Sequence, residues 1–387
     1  MKSLFGYGGT IKAIAQNGNW YIYDDKFTSI TKDEFGNTLL PSNKFDPNTS
    51  SLEITTPGIP PSNKLIQQAK NLISEYDYFY PFPFSIWITG TNGKTTTTEM
   101  IKYLLPNSDM GGNIGKPLAN MNKSSNLWII ETSSFTLHYT KIAKPNIFVL
   151  LPITPDHISW HGSFEEYKKA KLSPLDRMNE RDIAIIPEEF KDYKTNAYKI
   201  TYSSSDDLIQ YFQFKDIAFK EPFRLDEVLA KAIYKILYFK EKSLKDFIID
   251  PHKIEEFQDN KKRLWVDDSK ATNVDATIQA LKRYYNKKIY LILGGDSKGQ
   301  NLTPLFEELQ NHNIELFLIG KDQSFFETFA KKYNIKYNIN NTLDAAVKEI
   351  KNKFTKGVAI LSPASASLDQ FKSYKERGEV FKKLVLE

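Results

Sequence analysis

One short stretch limits the possible folds of this chain more than any other feature. Residues 88–98 read Ile-Thr-Gly-Thr-Asn-Gly-Lys-Thr-Thr-Thr-Thr and continue an apolar run that begins at Ser85. The β-branched run predicts a strand over 85–89, and a helix is expected from about Thr95. The two glycines between them let successive backbone N–H groups curl toward one point. There the helix N-terminus adds a favourable dipole for an anion. The stretch therefore predicts a phosphate loop. Lys94 is expected at the β- and γ-phosphates and the Thr95 hydroxyl at Mg²⁺, with Gly90, Thr91, Asn92, Gly93 and Thr96 completing the nucleotide contacts. The spacing departs from Gly-x4-Gly-Lys-Thr, because Ile88 stands where the first Gly is usual.

Such a loop needs a strand–turn–helix unit around it, and the rest of the chain supplies more of them. Strands are expected at 127–130, 147–151 and 183–186, with helical patterns between them and at 164–172, 225–238 and 277–284. A second regular block follows, with strands at 289–293, 314–319 and 358–361. At the other end, strands at 3–5, 20–23 and 52–55 enclose Gly6, Gly8 and Gly9 and lead into Asp24. Strand, glycine turn, strand, acid is the skeleton of a small nucleotide-binding unit. Residues 76–84, with two prolines among aromatics, read as a linker, and 203–207 as a surface loop. The expected fold is α/β in three domains, 1–80, 81–286 and 287–387: a Rossmann-like unit, a central phosphate-loop ATPase with a mostly parallel sheet, and a second Rossmann-like unit.

Two strand ends carry chemistry. Glu131 ends the strand at 127–130, where an NTPase would hold Mg²⁺. His157 follows the strand at 147–151, and ligands of open α/β sheets bind at those ends. Taken singly, each has a plainer explanation: a strand-end acid, or a surface histidine. Lys171 alone would be one more lysine on a solvated basic face.

Composition removes several classes. The chain has no Cys, so thiolate nucleophiles and Cys-ligated zinc are excluded. Its net charge of +5 is mild, it has only six Arg, and acids are interspersed, which argues against a nucleic-acid binder. No apolar run approaches the ~20 residues of a membrane span. The N-terminal stretch, broken by glycines, is a poor secretion signal.

Five blocks together resemble the Mur ligases. They are 89–96 (Thr-Gly-Thr-Asn-Gly-Lys-Thr-Thr), 111–115 (Gly-Gly-Asn-Ile-Gly), 131–135 (Glu-Thr-Ser-Ser-Phe), 267–273 (Asp-Asp-Ser-Lys-Ala-Thr-Asn) and 362–371 (Ser-Pro-Ala-Ser-Ala-Ser-Leu-Asp-Gln-Phe). The first two are shared across the family, whereas the last two are specific to its D-glutamate-adding branch. The resemblance implies a uridine-nucleotide domain, a central ATPase and an amino-acid-binding domain. It implies ligation of D-glutamate to UDP-N-acetylmuramoyl-L-alanine at the expense of ATP, by a cytoplasmic enzyme of peptidoglycan precursor synthesis. A monomer with small-molecule substrates only is expected, acting on neither nucleic acid nor membrane.

The resemblance also implies residue roles. Thr95 and Glu131 hold one Mg²⁺ and His157 the other. Lys171 matches the family's carbamylated lysine, whose anionic carbamate can bind or orient metal, and Lys94, Asn113, His157 and Lys171 form the catalytic set. Asn113 and Ser133 lie near the muramoyl substrate, and Asn273 and Asp296 face ATP. Lys298, Ser367 and Tyr374 hold D-glutamate, with Ser367 expected at a helix N-terminus. Thr10, Asp24 and Lys26 contact the uridine nucleotide. Three departures stand out: Asp267 replaces a frequent Asn, Tyr374 replaces a usual Phe, and the N-terminal unit is short. Two rival readings are a sister Mur or folate polyglutamate ligase with another acceptor, and a non-catalytic nucleotide-binding module. The Ser-Leu-Asp-Gln-Phe block argues against both.

Overall fold

The computed structural model describes residues 1–387. The chain divides into two compact units, Met1–Phe247 and Ile248–Glu387. The first holds two six-stranded sheets and the second holds one, giving the expected three-part α/β architecture.

In the N-terminal sheet, Lys2–Phe5 lies between Tyr21–Asp24 and Leu52–Thr55, both parallel to it. Side chains alternate between faces, so neighbours in sequence enter different cores. Leu4 packs with Ile11, Ile14 and Trp20, while Phe5 packs with Tyr23, Phe45 and Leu65. Only Thr31–Lys32 pairs antiparallel, at one edge.

The second sheet is parallel throughout, in the order Tyr198–Tyr202, Ile183–Pro187, Ile147–Leu150, Phe84–Thr89, Leu127–Glu131, Asp109–Gly112. From Phe84–Thr89 the chain runs out to the edge at Asp109–Gly112 and returns at Leu127–Glu131. It then crosses to the other side at Ile147–Leu150. Strand order reverses at Phe84–Thr89, and its carboxyl end opens into the crevice where such sheets bind ligands. The glycine loop starts there.

The segment 76–84 is not a free linker. Ser74 caps a short helix, Glu75–Phe79, by accepting from the Asp77 N–H at 3.1 Å. Tyr76 is buried in the core of the second sheet, with its ring 5.0 Å from that of Trp87. The Asp77 carboxylate accepts the backbone N–H groups of Lys141 (2.7 Å), Ile142 (2.8 Å) and Ala143 (2.8 Å). Of the aromatics in this segment, Tyr76 is buried and Phe79, Tyr80 and Phe82 are partly buried against the same core, while Phe84 is exposed. The segment 203–207 also differs from expectation. Ser204 and Asp207 form a capping box that starts the helix Ser205–Phe212.

The third sheet begins well before residue 287. Glu255–Gln258 pairs antiparallel with Leu264–Asp267, which pairs in parallel with Val358–Leu361. Trp265 and Val266 are fully buried there. The expected boundary at 286/287 therefore falls inside the second unit, just before the strand Ile289–Gly294. Polar residues at 285–287 suggested a boundary, but they form only the turn into that strand. No helix is long and apolar enough to cross a membrane.

Candidate active site

The loop after Phe84–Thr89 owes its shape to two glycines. Gly90 has φ +148° and Gly93 φ +84°, and a Cβ on Gly90 would run into Leu151. Gly93 caps the helix Lys94–Leu104 without any side-chain hydrogen bond of its own. Thr91 stitches the loop to the segment after Ile147–Leu150. Its N–H donates to Pro152 O at 3.0 Å, and its hydroxyl donates to Thr154 O at 2.9 Å and lies 3.0 Å from the Tyr167 hydroxyl. Asn92, Lys94 and Thr95 are half-buried and Thr96 is buried.

Two lysine amino groups meet on this loop. Lys94 Nζ donates to Gly90 O at 3.1 Å and to Thr91 O at 2.7 Å. Lys171 Nζ donates to the same Gly90 oxygen at 2.6 Å. Lys171 comes from the helix Phe164–Leu172, which Ser163 caps. It is 1 % exposed, so it does not belong to a solvated basic face. Burial, and then the neighbouring Lys94 charge, hold its pKa well below the usual lysine value, while Asp156 and Glu131 oppose the shift. Burial also lowers Lys94, again against Glu131 and Asp156. Two lysines and two acids thus face one another at the switch point.

Glu131 is 1 % exposed. Asn113 Nδ2 donates to its Oε1 at 2.6 Å, while Oε2 is buried with no hydrogen-bond partner. A buried carboxylate oxygen left open beside a phosphate loop suits a divalent cation, so the donor set fits Mg²⁺. His157 has a left-handed backbone, φ +53°, and precedes the short helix Ile158–His161. Its Nε2 lies 3.7 Å from Asp156 Oδ2, and its ring centroid is 4.7 Å from that of Phe135. Ser133 is buried and caps the helix Ser134–Tyr139, accepting from the Thr136 N–H at 3.0 Å.

The other expected residues form separate groups. Asp24 sits at the carboxyl end of its strand, with Lys26 just beyond it and Thr10 in the helix Gly9–Ala15. The Asp24 carboxylate accepts the N–H groups of Tyr7 (2.7 Å) and Lys26 (2.9 Å), so it shapes the glycine turn directly. In the second unit, Asp296 pairs with Lys321 at 3.0 Å, and Lys321 keeps its carboxyl below the usual range. Lys298, exposed, donates its N–H to Asp296. Asn273 caps the helix Val274–Leu281 through the Ala276 N–H at 2.9 Å. Ser367 is buried but starts no helix; its carbonyl accepts from Gln370 and Phe371 in a turn. The helix begins instead at Tyr374, capped by Ser373.

Sequence reasoning missed the partner of one named residue, and missed another residue altogether. Asp267, where Asn is frequent in the family, is fully buried and accepts from His252 Nδ1 at 2.6 Å, so the acid has a partner of its own. Arg377 is 1 % exposed and donates to Ser269 Oγ (2.9 Å), Ser269 O (2.7 Å) and Ser365 O (3.1 Å). It ties the 267–273 block to the 362–371 block. Its rarity was the available signal: in a chain that uses Lys almost everywhere, an Arg marks a place that needs a rigid fork.

Residues 88–224 match the family described as Mur ligase middle domain, which sets the class of protein. Two curated relatives carry the name UDP-N-acetylmuramoylalanine–D-glutamate ligase. The one from Campylobacter jejuni subsp. jejuni serotype O:23/36 (strain 81-176) is 52% identical, covering 99% of this chain and 98% of the relative. The one from Helicobacter pylori (strain HPAG1) is 45% identical, covering 99% of each. Among solved structures, a MurF ligase from Thermotoga maritima in complex with ADP superposes with a TM-score of 0.58 at 17% identity, covering 87% of this chain and 90% of that one. This chain belongs to the UDP-N-acetylmuramoylalanine–D-glutamate ligase branch of the Mur ligases.

Proposed function

We propose that this chain joins D-glutamate to UDP-N-acetylmuramoyl-L-alanine with conversion of ATP to ADP and phosphate, a step of peptidoglycan precursor synthesis. The observation that carries the reading is the meeting of Lys94 and Lys171 on the Gly90 carbonyl, faced by Glu131 and Asp156.

A carboxylate is a poor electrophile, so an amide does not form directly. The alanyl carboxylate oxygen takes the γ-phosphoryl group, the bond to the bridging oxygen breaks, and ADP leaves. The neutral D-glutamate amine attacks the acyl carbon, and the tetrahedral adduct gives up one amine proton to the departing phosphate as the C–O bond breaks and the amide is left. Both steps crowd anions together, so neutralisation and positioning dominate. Lys94 brings positive charge to the transferring group, and the loop N–H groups orient it. Asn113 holds the Glu131 carboxylate in one rotamer. Thr95 and Glu131 would hold one Mg²⁺ and His157 a second. When bound, these ions supply Lewis-acid charge at the phosphoryl oxygens.

Lys171 is proposed to be carbamylated. Its amine, favoured in the neutral form by burial, adds to CO₂: an N–C bond forms and one proton leaves. The product is an anion where a neutral amine stood. The remaining assignments rest on motif match. Thr10, Asp24 and Lys26 serve the uridine nucleotide, Ser133 the muramoyl group, Asn273 and Asp296 ATP, and Lys298, Ser367 and Tyr374 D-glutamate. A cytoplasmic monomer is proposed on the same ground, the motif match.

Phosphate release across a panel of amino acids tests the reading. D-glutamate must be the preferred acceptor, and release must require the muramoyl nucleotide. Preference for another amino acid points to a sister ligase. Slow release that ignores the muramoyl nucleotide points to a nucleotide-binding module.

A further inference from the structure

We infer that Asp226 is a positioning residue for the phosphate loop, setting the geometry of its last turn from a different helix. It stands in the first turn of the helix Phe223–Tyr238 and is 3 % exposed. Its Oδ1 accepts a hydrogen bond from Thr97 Oγ1 at 2.7 Å. A Cβ placed on Gly93 would lie 2.5 Å from that same oxygen.

Gly93 and Thr97 are one helical turn apart and share a face of the helix Lys94–Leu104. Thr97 N–H also donates to Gly93 O at 2.9 Å. One carboxylate oxygen therefore covers the loop's last glycine and pins the turn that follows it. No side chain caps Gly93. The constraint on its left-handed turn comes from a residue 129 positions beyond Thr97. The positive end of the helix dipole favours a carboxylate in that place. Because the N–H groups of this turn are those offered to phosphate, and hydrogen bonds weaken steeply with misalignment, loosening Gly93 weakens nucleotide binding selectively.

This inference rests on the ATP-binding reading of the loop. It is tested by calorimetric binding of a non-hydrolysable ATP analogue and by KM values for all three substrates. Asp226→Ala is expected to raise the analogue Kd and the KM for ATP by about tenfold or more, leaving the other two KM values within about twofold. Asp226→Asn keeps an oxygen for Thr97 and is expected to stay within about threefold of wild type. Thr97→Val, which leaves Asp226 in place, is expected to raise the Kd several-fold and serves if Asp226→Ala does not fold. An unchanged Kd in both Asp226→Ala and Thr97→Val, or an equal rise in all three KM values, overturns the inference while leaving the functional reading intact. Failure of the wild-type protein to bind the analogue overturns the functional reading, and this inference with it.

Discussion

At the scale of single residues, burial decides what charge means. Lys171 sits in a run of lysines that spells a solvated face, yet it is buried and shares a carbonyl oxygen with Lys94. Lys171→Ala is expected to abolish turnover while the fold survives, as cooperative thermal unfolding would show. A ¹³C-carbonate label should give a carbamate NMR signal in wild type that the variant lacks. Near-normal turnover in the variant removes Lys171 from the mechanism. Glu75 offers a second test. Burial pushes its carboxyl up to about 8 from an ordinary 4.5, against one backbone N–H from Leu118. The folded protein therefore holds this proton more tightly than the unfolded chain. The resulting stability is full below about pH 4.5, declines as pH rises through the window, and is gone above about 8. Glu75→Gln should match wild type near pH 4 and exceed it by roughly 3–5 kcal/mol at pH 9. Melting curves at the two pH values check this, and a gain that does not depend on pH contradicts it. Neither Glu75 nor Asp226 was legible in the sequence. A buried acid looks like an exposed one until the element opposite it is known. Gly90, Gly93 and Lys94 were legible, because their spacing fixes their geometry locally, whereas Glu131 was marked only by its place at a strand end.

Secondary elements show the same division. Strands were read well where β-branched runs end in Gly or an acid, as at Phe84–Thr89 and Leu127–Glu131. Short elements held by side chains were missed. The helix Glu75–Phe79 looked like linker because prolines and aromatics surround it, but Asp77 anchors it through three backbone N–H groups. Asp77→Ala leaves those donors unpaired and is expected to destabilise the first unit by about 2–4 kcal/mol. Denaturant unfolding measures this, and a loss well under 1 kcal/mol shows that the anchor contributes little. Ser367 failed in the opposite direction. Ser367 was expected at a helix N-terminus, yet the helix starts at Tyr374 behind Ser373, because the intervening block turns on the Ser367 carbonyl.

Across the whole molecule, the sequence showed three sheets but misplaced where the last one begins. The strand Leu264–Asp267 pairs with Val358–Leu361, a contact between segments far apart in the chain that periodicity cannot reveal. The docked Glu75–Phe79 helix joins the first two lobes into one unit, so limited proteolysis should spare residues 76–84. Cleavage is expected first near residues 239–248, where Phe239 is 87 % and Ile248 86 % exposed. Fragment masses decide the matter, and a first cut within 76–84 contradicts the docking. The central claim is that these lobes activate an acid as an acyl phosphate for capture by a D-amino acid. The most direct test supplies UDP-N-acetylmuramoyl-L-alanine labelled with ¹⁸O in its carboxylate, together with ATP, Mg²⁺ and either D- or L-glutamate. The account predicts one ¹⁸O in each phosphate released with D-glutamate, and negligible product with L-glutamate. Unlabelled phosphate accompanying amide formation would contradict it.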